Sequence, residues 1–406
     1  VNKPIYLGCT LLVSLILASS ISGQSFYSSH GIGLTKHTVS NRSAGMGSAG
    51  LAVIDNITVN FINPAPLSSL PFTYISGSFL HHSTSLQSNG VDASISNTNV
   101  DAVQFVVPLM TGRAVVAAGL SPYSSVEYAF DAEGVDVTEP YIESLSGSGA
   151  VNGADLSISF RPVNRLYLGV TGTYYFGVLR SGWRAVFTSG ESQNVRTETQ
   201  DHVSGFGVRF GGLFRVLPRW RVGFVFSPAT AIDVDRTLSL IGVGSFADFE
   251  DINYDLPAAL GVGTSVRVAT KWLLAADYYT EKWQDASFVE DGYVNSSRRV
   301  AFGLEYLPRT FTVEQYFSSS YFSRVAYRAG FYHRDLGLEL PAGEKVAEWF
   351  VTFGLGMPLK WAASRMDLAF ELGKRGSADK NPVEETVSRL SISLTVGEKW
   401  FTRRRQ

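Results

Sequence analysis

The chain has 406 residues, with 34 Lys and Arg against 36 Asp and Glu, for a formal charge of −2. That balance supplies no basic field for nucleic acid. Charged residues make up 17% and aromatics 13%, with 39 glycines, a mix that suits glycine- and aromatic-rich β structure better than a helical enzyme.

Residues 1–23 read as a secretory signal peptide. Lys3 supplies the positive start, Tyr6 to Ala18 the apolar stretch, and Ser19 to Gly23 mostly small residues before a cut near Gly23. The apolar run is short for a membrane helix, and no later segment approaches the ~18 apolar residues that one needs. Cys9, the single cysteine, lies in this segment. The mature chain then has no disulfide, thiol nucleophile or thiolate metal site. Residues 24–70 do not alternate cleanly and precede the first strand.

From Pro71 the pattern has period two. Val300, Phe302, Leu304 and Tyr306 oppose Arg299, Ala301, Gly303 and Glu305. Leu390, Ile392, Leu394 and Val396 oppose Ser391, Ser393, Thr395 and Gly397. A strand puts successive side chains on opposite faces, so one face is apolar and the other small and polar. A charge facing lipid at mid-depth costs about 2–4 kcal/mol, which accounts for the clean apolar face. Short turns carrying Pro or a basic residue, such as Arg161 to Arg165 and Leu217 to Trp220, alternate with longer polar stretches. Those stretches are 83–98, 123–150, 180–200, 231–254, 282–296, 335–346 and 375–386.

Strands are expected near 72–82, 99–108, 113–122, 151–161, 165–179, 201–216, 219–230, 255–269, 271–281, 297–307, 322–334, 347–357, 361–373 and 387–400. Bacterial single-chain barrels have an even number of strands. The segment after Pro228 is therefore read as an extension beyond the membrane, which leaves fourteen. Trp220, Trp272, Trp361 and Trp400 fall at the turn end, and Trp183, Trp283 and Trp349 near the loop end, as two aromatic girdles would. The fold class expected is all-β: a transmembrane antiparallel barrel over 71–401, an N-terminal plug over 24–70 inside its lumen, and a basic tail at 402–406. The location expected is the bacterial outer membrane.

Residues 45–50, Gly-Met-Gly-Ser-Ala-Gly, spell G-x-G-x-x-G. A dinucleotide loop needs a strand before, a helix after and an acid about 20 residues on. The flanking stretches are a weak strand and a poor helix, and no acid occurs between Asn56 and Gly90. The glycines Gly45, Gly47 and Gly50 instead suit tight packing of a plug.

Arg42 to Asp55, followed by Asn63-Pro64-Ala65, resembles the N-terminal hatch of the FadL family of long-chain fatty-acid and hydrocarbon transporters. Pro122-Tyr123-Ser124 is similar to that family's Pro-Phe-Gly after the third strand, with Ser124 where glycine is usual. Tyr254 to Gly263, then Lys271 to Tyr278 and Trp283, resembles its mid-barrel strand pair. The ending Gly397 to Arg405 resembles a broader group that includes PorV/PorQ-like secretion proteins. The resemblance implies a fourteen-stranded barrel with a hatch, a side opening at Pro122 and Tyr123, and a hydrophobic small-molecule ligand. PorV/PorQ-like relatives imply secretion-system proteins as partners instead.

No catalytic arrangement stands out, so no enzyme, cofactor or metal is expected. His30, His37, His81, His82, His202 and His333 lack metal-ligand spacing, and adjacent His81 and His82 face opposite ways in a strand and read as a surface pair. The lumen acids Asp277, Glu305, Asp367 and Glu371 are expected to pair with Arg209, Arg267 and Arg328 across the barrel and to anchor the plug. Two functions follow: passive uptake of hydrophobic small molecules such as long-chain fatty acids or hydrocarbons, with outer-membrane lipid around the barrel, or a secretion component that binds proteins without solute flux. A general porin fits less well, because an open channel needs no N-terminal filler.

Overall fold

The computed structural model describes residues 25–37, 40–88, 91–135, 140–187, 193–241, 246–285, 295–308, 320–339, 345–359, 363–381 and 383–400. The signal-peptide reading, the basic tail and Trp361 fall outside the described residues. A short strand β1 (Leu34–Thr35) and a one-turn helix α1 (Asn41–Ala44) precede the sheet. Then follow β2 (Thr73–Ser88), β3 (Val91–Met110), β4 (Ala114–Val135), β5 (Pro140–Val163), β6 (Leu166–Phe187) and β7 (Val195–Leu217). Next come β8 (Trp220–Ser227), β9 (Thr230–Ile241), β10 (Phe246–Leu256), β11 (Ala259–Val268), β12 (Trp272–Glu281) and β13 (Ser297–Tyr306). The last four are β14 (Ala326–Glu339), β15 (Lys345–Pro358), β16 (Arg365–Arg375) and β17 (Glu384–Glu398).

Neighbours in sequence pair antiparallel, and β17 returns to β2, with Ile392 opposite Phe79 and Leu390 opposite His81. The sheet is therefore a closed cylinder. β8 pairs with β11 while β9 pairs with β10, and β7 pairs with both β8 and β9. Each of those two spans is one strand broken where Pro228 or Pro257 cannot donate to the ladder. Counted so, the barrel has fourteen strands, and the segment after Pro228 is an extension as the even-number argument expects.

Alternation sorts the two faces. On β13, Val300 and Phe302 are exposed while Arg299, Ala301, Gly303 and Glu305 are buried. Phe206, Phe210, Phe224, Leu274, Phe331, Phe353 and Ile392 continue the exposed apolar surface around the cylinder. With no core on that side, only hydrocarbon can cover it. This is an outer-membrane-type barrel. Phe302, 54% exposed, is well placed for a test: Phe302→Lys should destabilise the barrel by about 2–4 kcal/mol in urea unfolding from lipid vesicles, whereas Phe302→Leu should be near neutral.

The strands are longer than alternation alone suggests. β4 has 22 residues, β5 24, β6 22 and β7 23, against 10 each in β11, β12 and β13. A tilted strand crosses a bilayer in about 9–11 residues, so β4–β7, joined by β9 and β10, rise well beyond it as one wall. Stretches 83–98, 123–150 and 231–254 were expected as loops, and most of them are strand. At the outer end of the lumen the inward face still buries Val126, Tyr128, Ile232 and Val234. Farther out, around Ser144 and Ser146, neither face has a core to meet, so the two-residue pattern fades while the ladder of backbone hydrogen bonds continues.

The aromatic girdles are only partly as expected. Trp220, Trp272, Trp349 and Trp400 are exposed. Trp283 is instead 1% exposed, in a core at the outer end of the lumen with Tyr27, Ile32, Val126, Leu179, Val203 and Leu336. Trp283 opens a 3-10 turn just after β12, and an inward-facing turn is as good a place for tryptophan as the bilayer interface, which periodicity cannot separate.

Candidate functional site

The described residues between 25 and 70 lie against inward faces of strands on several sides of the cylinder. Ser25, the first of the described residues, donates its hydroxyl to Glu385 at 2.8 Å and accepts from Arg375 at 3.1 Å. A 3-10 turn, Phe26–Ser29, rests beside β4. Ser40 caps α1 by accepting from the Ser43 N–H at 3.3 Å. The Gly-Met-Gly-Ser-Ala-Gly turn then presses into the wall. The Gly47 N–H donates to Thr352 Oγ1 at 2.8 Å, and the N–H groups of Gly50 and Leu51 donate to Asp277 at 2.6 and 2.9 Å. Gly47 has φ +62°, and a Cβ there would stand 2.5 Å from the Phe331 nitrogen. Opposite it, Gly330 has no room for a side chain either, since its Cβ would lie 2.1 Å from the Gly47 nitrogen. The glycines thus serve close backbone approach, with no strand–turn–helix cradle for a nucleotide.

Asn63-Pro64-Ala65 is a second anchor. The Asn63 amide donates to the carbonyls of Leu51 and Gly212 at 2.7 and 3.2 Å, and its oxygen accepts from the Ala65 N–H at 3.0 Å. Ser159 donates to the Ala65 carbonyl at 2.7 Å.

A closed ring of six alternating charges joins this segment to the wall. Arg42 binds Glu305 at 2.7 Å, Glu305 binds Arg328 at 2.9 Å, and Arg328 binds Asp367 at 2.6 Å. Asp367 binds Arg365 at 2.8 Å, Arg365 binds Asp55 at 2.7 Å, and Asp55 returns to Arg42 at 3.2 Å. Three cations meet three anions, so the ring buries no net charge, and each ion has an opposite charge on both sides to offset the cost of taking it out of water. Glu305, Arg328 and Asp367 were expected to pair in the lumen. Arg42, Asp55 and Arg365 were not foreseen in this role, although Arg42 and Asp55 bracket the small-residue stretch that carries the family resemblance.

Two expected pairings do not form. Arg209 donates to the Phe61 carbonyl and the Ser227 hydroxyl at 3.1 and 3.3 Å. Arg267 sits at the turn end, donating to the Thr270 carbonyl at 3.4 Å. Neither binds a lumen acid among the described residues. Asp277 takes backbone N–H groups instead, and Glu371 lies 3.6 Å from Arg389. Sharing the inward face does not fix height along the barrel, which shear and register decide. His82 is a correction too: it is buried inside with Nε2 unpartnered, while His81 faces out and bonds Thr98 at 2.8 Å.

The lumen cavities are small and charged. One of about 150 Å³ is lined by Lys36, Asp101, Arg334, Glu348, Arg375 and Arg389, and one of about 50 Å³ by Pro122, Tyr123, Asp155, Arg209 and Glu281 among others. A larger trough, about 850 Å³, lies on the tall wall among Ser146, Arg180, Arg184, Arg196, Glu198 and Ser239.

The wall is also interrupted. β3 pairs with β4 from Met110 opposite Ala114 to Val103 opposite Leu120, and no further. Both strands continue, β3 back to Val91 paired with β2, and β4 on to Val135 paired with β5. The break falls at Ser121-Pro122, where the β4–β5 register also shifts. Pro122 lies opposite Asn152, just above the exposed Leu156 and Ile158. The freed β4 edge is capped by β1, with Leu34 opposite Ser125 and Thr35 opposite Ser124, and the Lys36 N–H donates to the Tyr123 carbonyl at 2.8 Å. The Thr35 carbonyl accepts from Arg334 of β14 at 3.1 Å, so β1 lies on the lumen side. Tyr123 packs edge-on against Tyr175 at 5.1 Å.

The family model described as BamG matches residues 1–406, the whole length. The chain belongs to the BamG family. Solved structures share its architecture at low identity. The toluene transporter TodX of Pseudomonas putida superposes with a TM-score of 0.61 at 17% identity, over 91% of this chain and 100% of that one. TbuX, a toluene transporter of Ralstonia pickettii, gives 0.61 at 16% over 89% and 98%. A FadL homologue of Pseudomonas aeruginosa gives 0.64 at 11% over 89% and 98%. These likenesses establish a FadL-like fold for this BamG-family barrel. None of the curated proteins compared matches the sequence.

Proposed function

We propose that this outer-membrane barrel acts through protein partners held outside its wall, with its lumen shut. One observation supports the reading: the described part of 25–70 packs on inward faces of the wall and is tied to them by the six-charge ring, and the cavities beside it are small and charged. An apolar solute crossing there would have to displace buried ion pairs. Meanwhile β4–β7 spend about half their length above the bilayer, building a tall wall on which a partner could sit.

Uptake of hydrophobic molecules, fatty acids or hydrocarbons, is the second reading. The gap at Pro122 favours it, because it reaches a cavity that Pro122 and Tyr123 line, and the similar TodX and TbuX are named as toluene transporters. The same residues would then form the side opening, and a shift of the plug would release the solute.

One experiment separates the two. Liposomes carrying the barrel should take up labelled toluene or oleate no faster than empty ones. The barrel extracted gently from its own membrane should carry protein partners in fixed ratio, lost when the β4–β5 and β6–β7 hairpins are shortened above Ser146 and Gly182. Saturable uptake with no bound protein would reverse the order of the readings.

A further inference from the structure

We propose that the free margin of β3, residues 91–102, is a docking edge onto which an extended segment of a partner polypeptide adds as a further strand. This rests on the partner-binding reading and names where the partner would grip.

The margin is free of strand pairing because the β3–β4 ladder stops at Val103 opposite Leu120. Two of its backbone groups are held by side chains, the Asp101 carbonyl accepting from Lys36 Nζ at 3.2 Å and the Thr98 N–H donating to the Asn97 amide oxygen at 2.6 Å. Among the described residues, no backbone hydrogen bond joins 91–102 to β4. A row of unpaired N–H and C=O groups is a template for another strand. Closed barrels normally have no such edge, and here the chain provides one by letting β4 leave the wall at Pro122.

Three features decide the occupant. First, the gap already accepts a strand: β1 pairs with the opposite margin, at Ser124 and Ser125 of β4. Secondly, the side chains along the β3 margin are mostly polar, Ser94, Ser96, Asn97, Thr98 and Asn99, with Ile95 and the exposed Val100 set singly among them. An acyl chain gains nothing from such a surface, whereas a polypeptide backbone satisfies it, donor to acceptor, as in other cases of strand addition. Thirdly, the margins are held by side chains instead of backbone. Lys36 Nζ reaches the Asp101 carboxylate, and the Asn97 amide reaches Glu127 at 3.2 Å. Those contacts can part without unzipping a ladder.

Hydrogen exchange on the barrel in lipid nanodiscs tests this. The probe is a synthetic decapeptide of alternating Thr and Val at millimolar concentration, with the same peptide methylated on every backbone amide as control. Amides 91–102 should exchange quickly alone and roughly tenfold more slowly with the plain peptide, since protection reports pairing. The methylated peptide should leave them unchanged. A disulfide formed in Asn97→Cys/Glu127→Cys should close the gap and abolish the effect. No protection, or equal protection by both peptides, overturns the proposal. So does protection that grows with barrel concentration alone, which would assign the edge to a second copy. If the edge ignores the peptide while the extracted barrel still carries proteins in fixed ratio, this inference falls and the partner-binding reading stands.

Discussion

Arg328→Met should be among the most damaging single substitutions in the barrel. Arg328 is fully buried and binds Glu305 at 2.9 Å and Asp367 at 2.6 Å. Removing it leaves a ring with one excess negative charge and no water to screen it. Breaking a buried network from one side typically costs about 3–5 kcal/mol. The loss should appear as a lower urea midpoint in vesicles and faster proteolysis within residues 25–70, because Glu305 also holds Arg42 of that segment. Glu305→Met together with Arg328→Met removes one charge of each sign and should cost clearly less than the sum of the two singles. Additive losses would mean that the ring is a set of independent contacts.

Gly330→Val should open the lumen. Its Cβ would fall 2.1 Å from the Gly47 nitrogen and 2.2 Å from the Met46 carbonyl carbon, both backbone atoms of the inner turn. No rotamer change relieves that clash. The wall is fixed by its ladders on both sides, with Gly330 opposite Gly303 and Thr352, so the turn must move. Overpacking of this kind costs about 1–3 kcal/mol when it can be absorbed at all. Planar-bilayer recordings should show stepwise conductance for Gly330→Val and none for the parent. Gly212→Val is the control, since a Cβ there meets nothing within 4 Å, and it should stay silent. Silence from both would mean that residues 25–70 are not what closes the barrel.

Much of the architecture is legible in the residues because bilayer chemistry writes itself into every strand. Phe302 and Leu304 against Ala301 and Gly303 name the two faces without any partner being known. Pro122 was readable as a weak point in the wall, since proline lacks the N–H, and the segment after Pro228 as an extension, since a further strand would break the even number. The glycines at 45, 47 and 50 were readable as close packing because their surroundings could not build a nucleotide loop. The tall wall was not legible: Ser144, Ser146 and Ser148 look like loop, because a strand wetted on both faces has no reason to alternate.

By itself, the sequence determined a closed membrane cylinder, its parity and the inward placement of its charges, since these follow from local periodicity and the cost of a charge in hydrocarbon. Only the tertiary structure decided which charges meet. Arg42 and Asp55 find Glu305 and Arg365 across more than two hundred positions of chain, while Arg209 and Arg267 turn elsewhere. Partners inside a barrel are chosen by strand tilt, register and the path of the inner segment, quantities that exist only once the cylinder has closed.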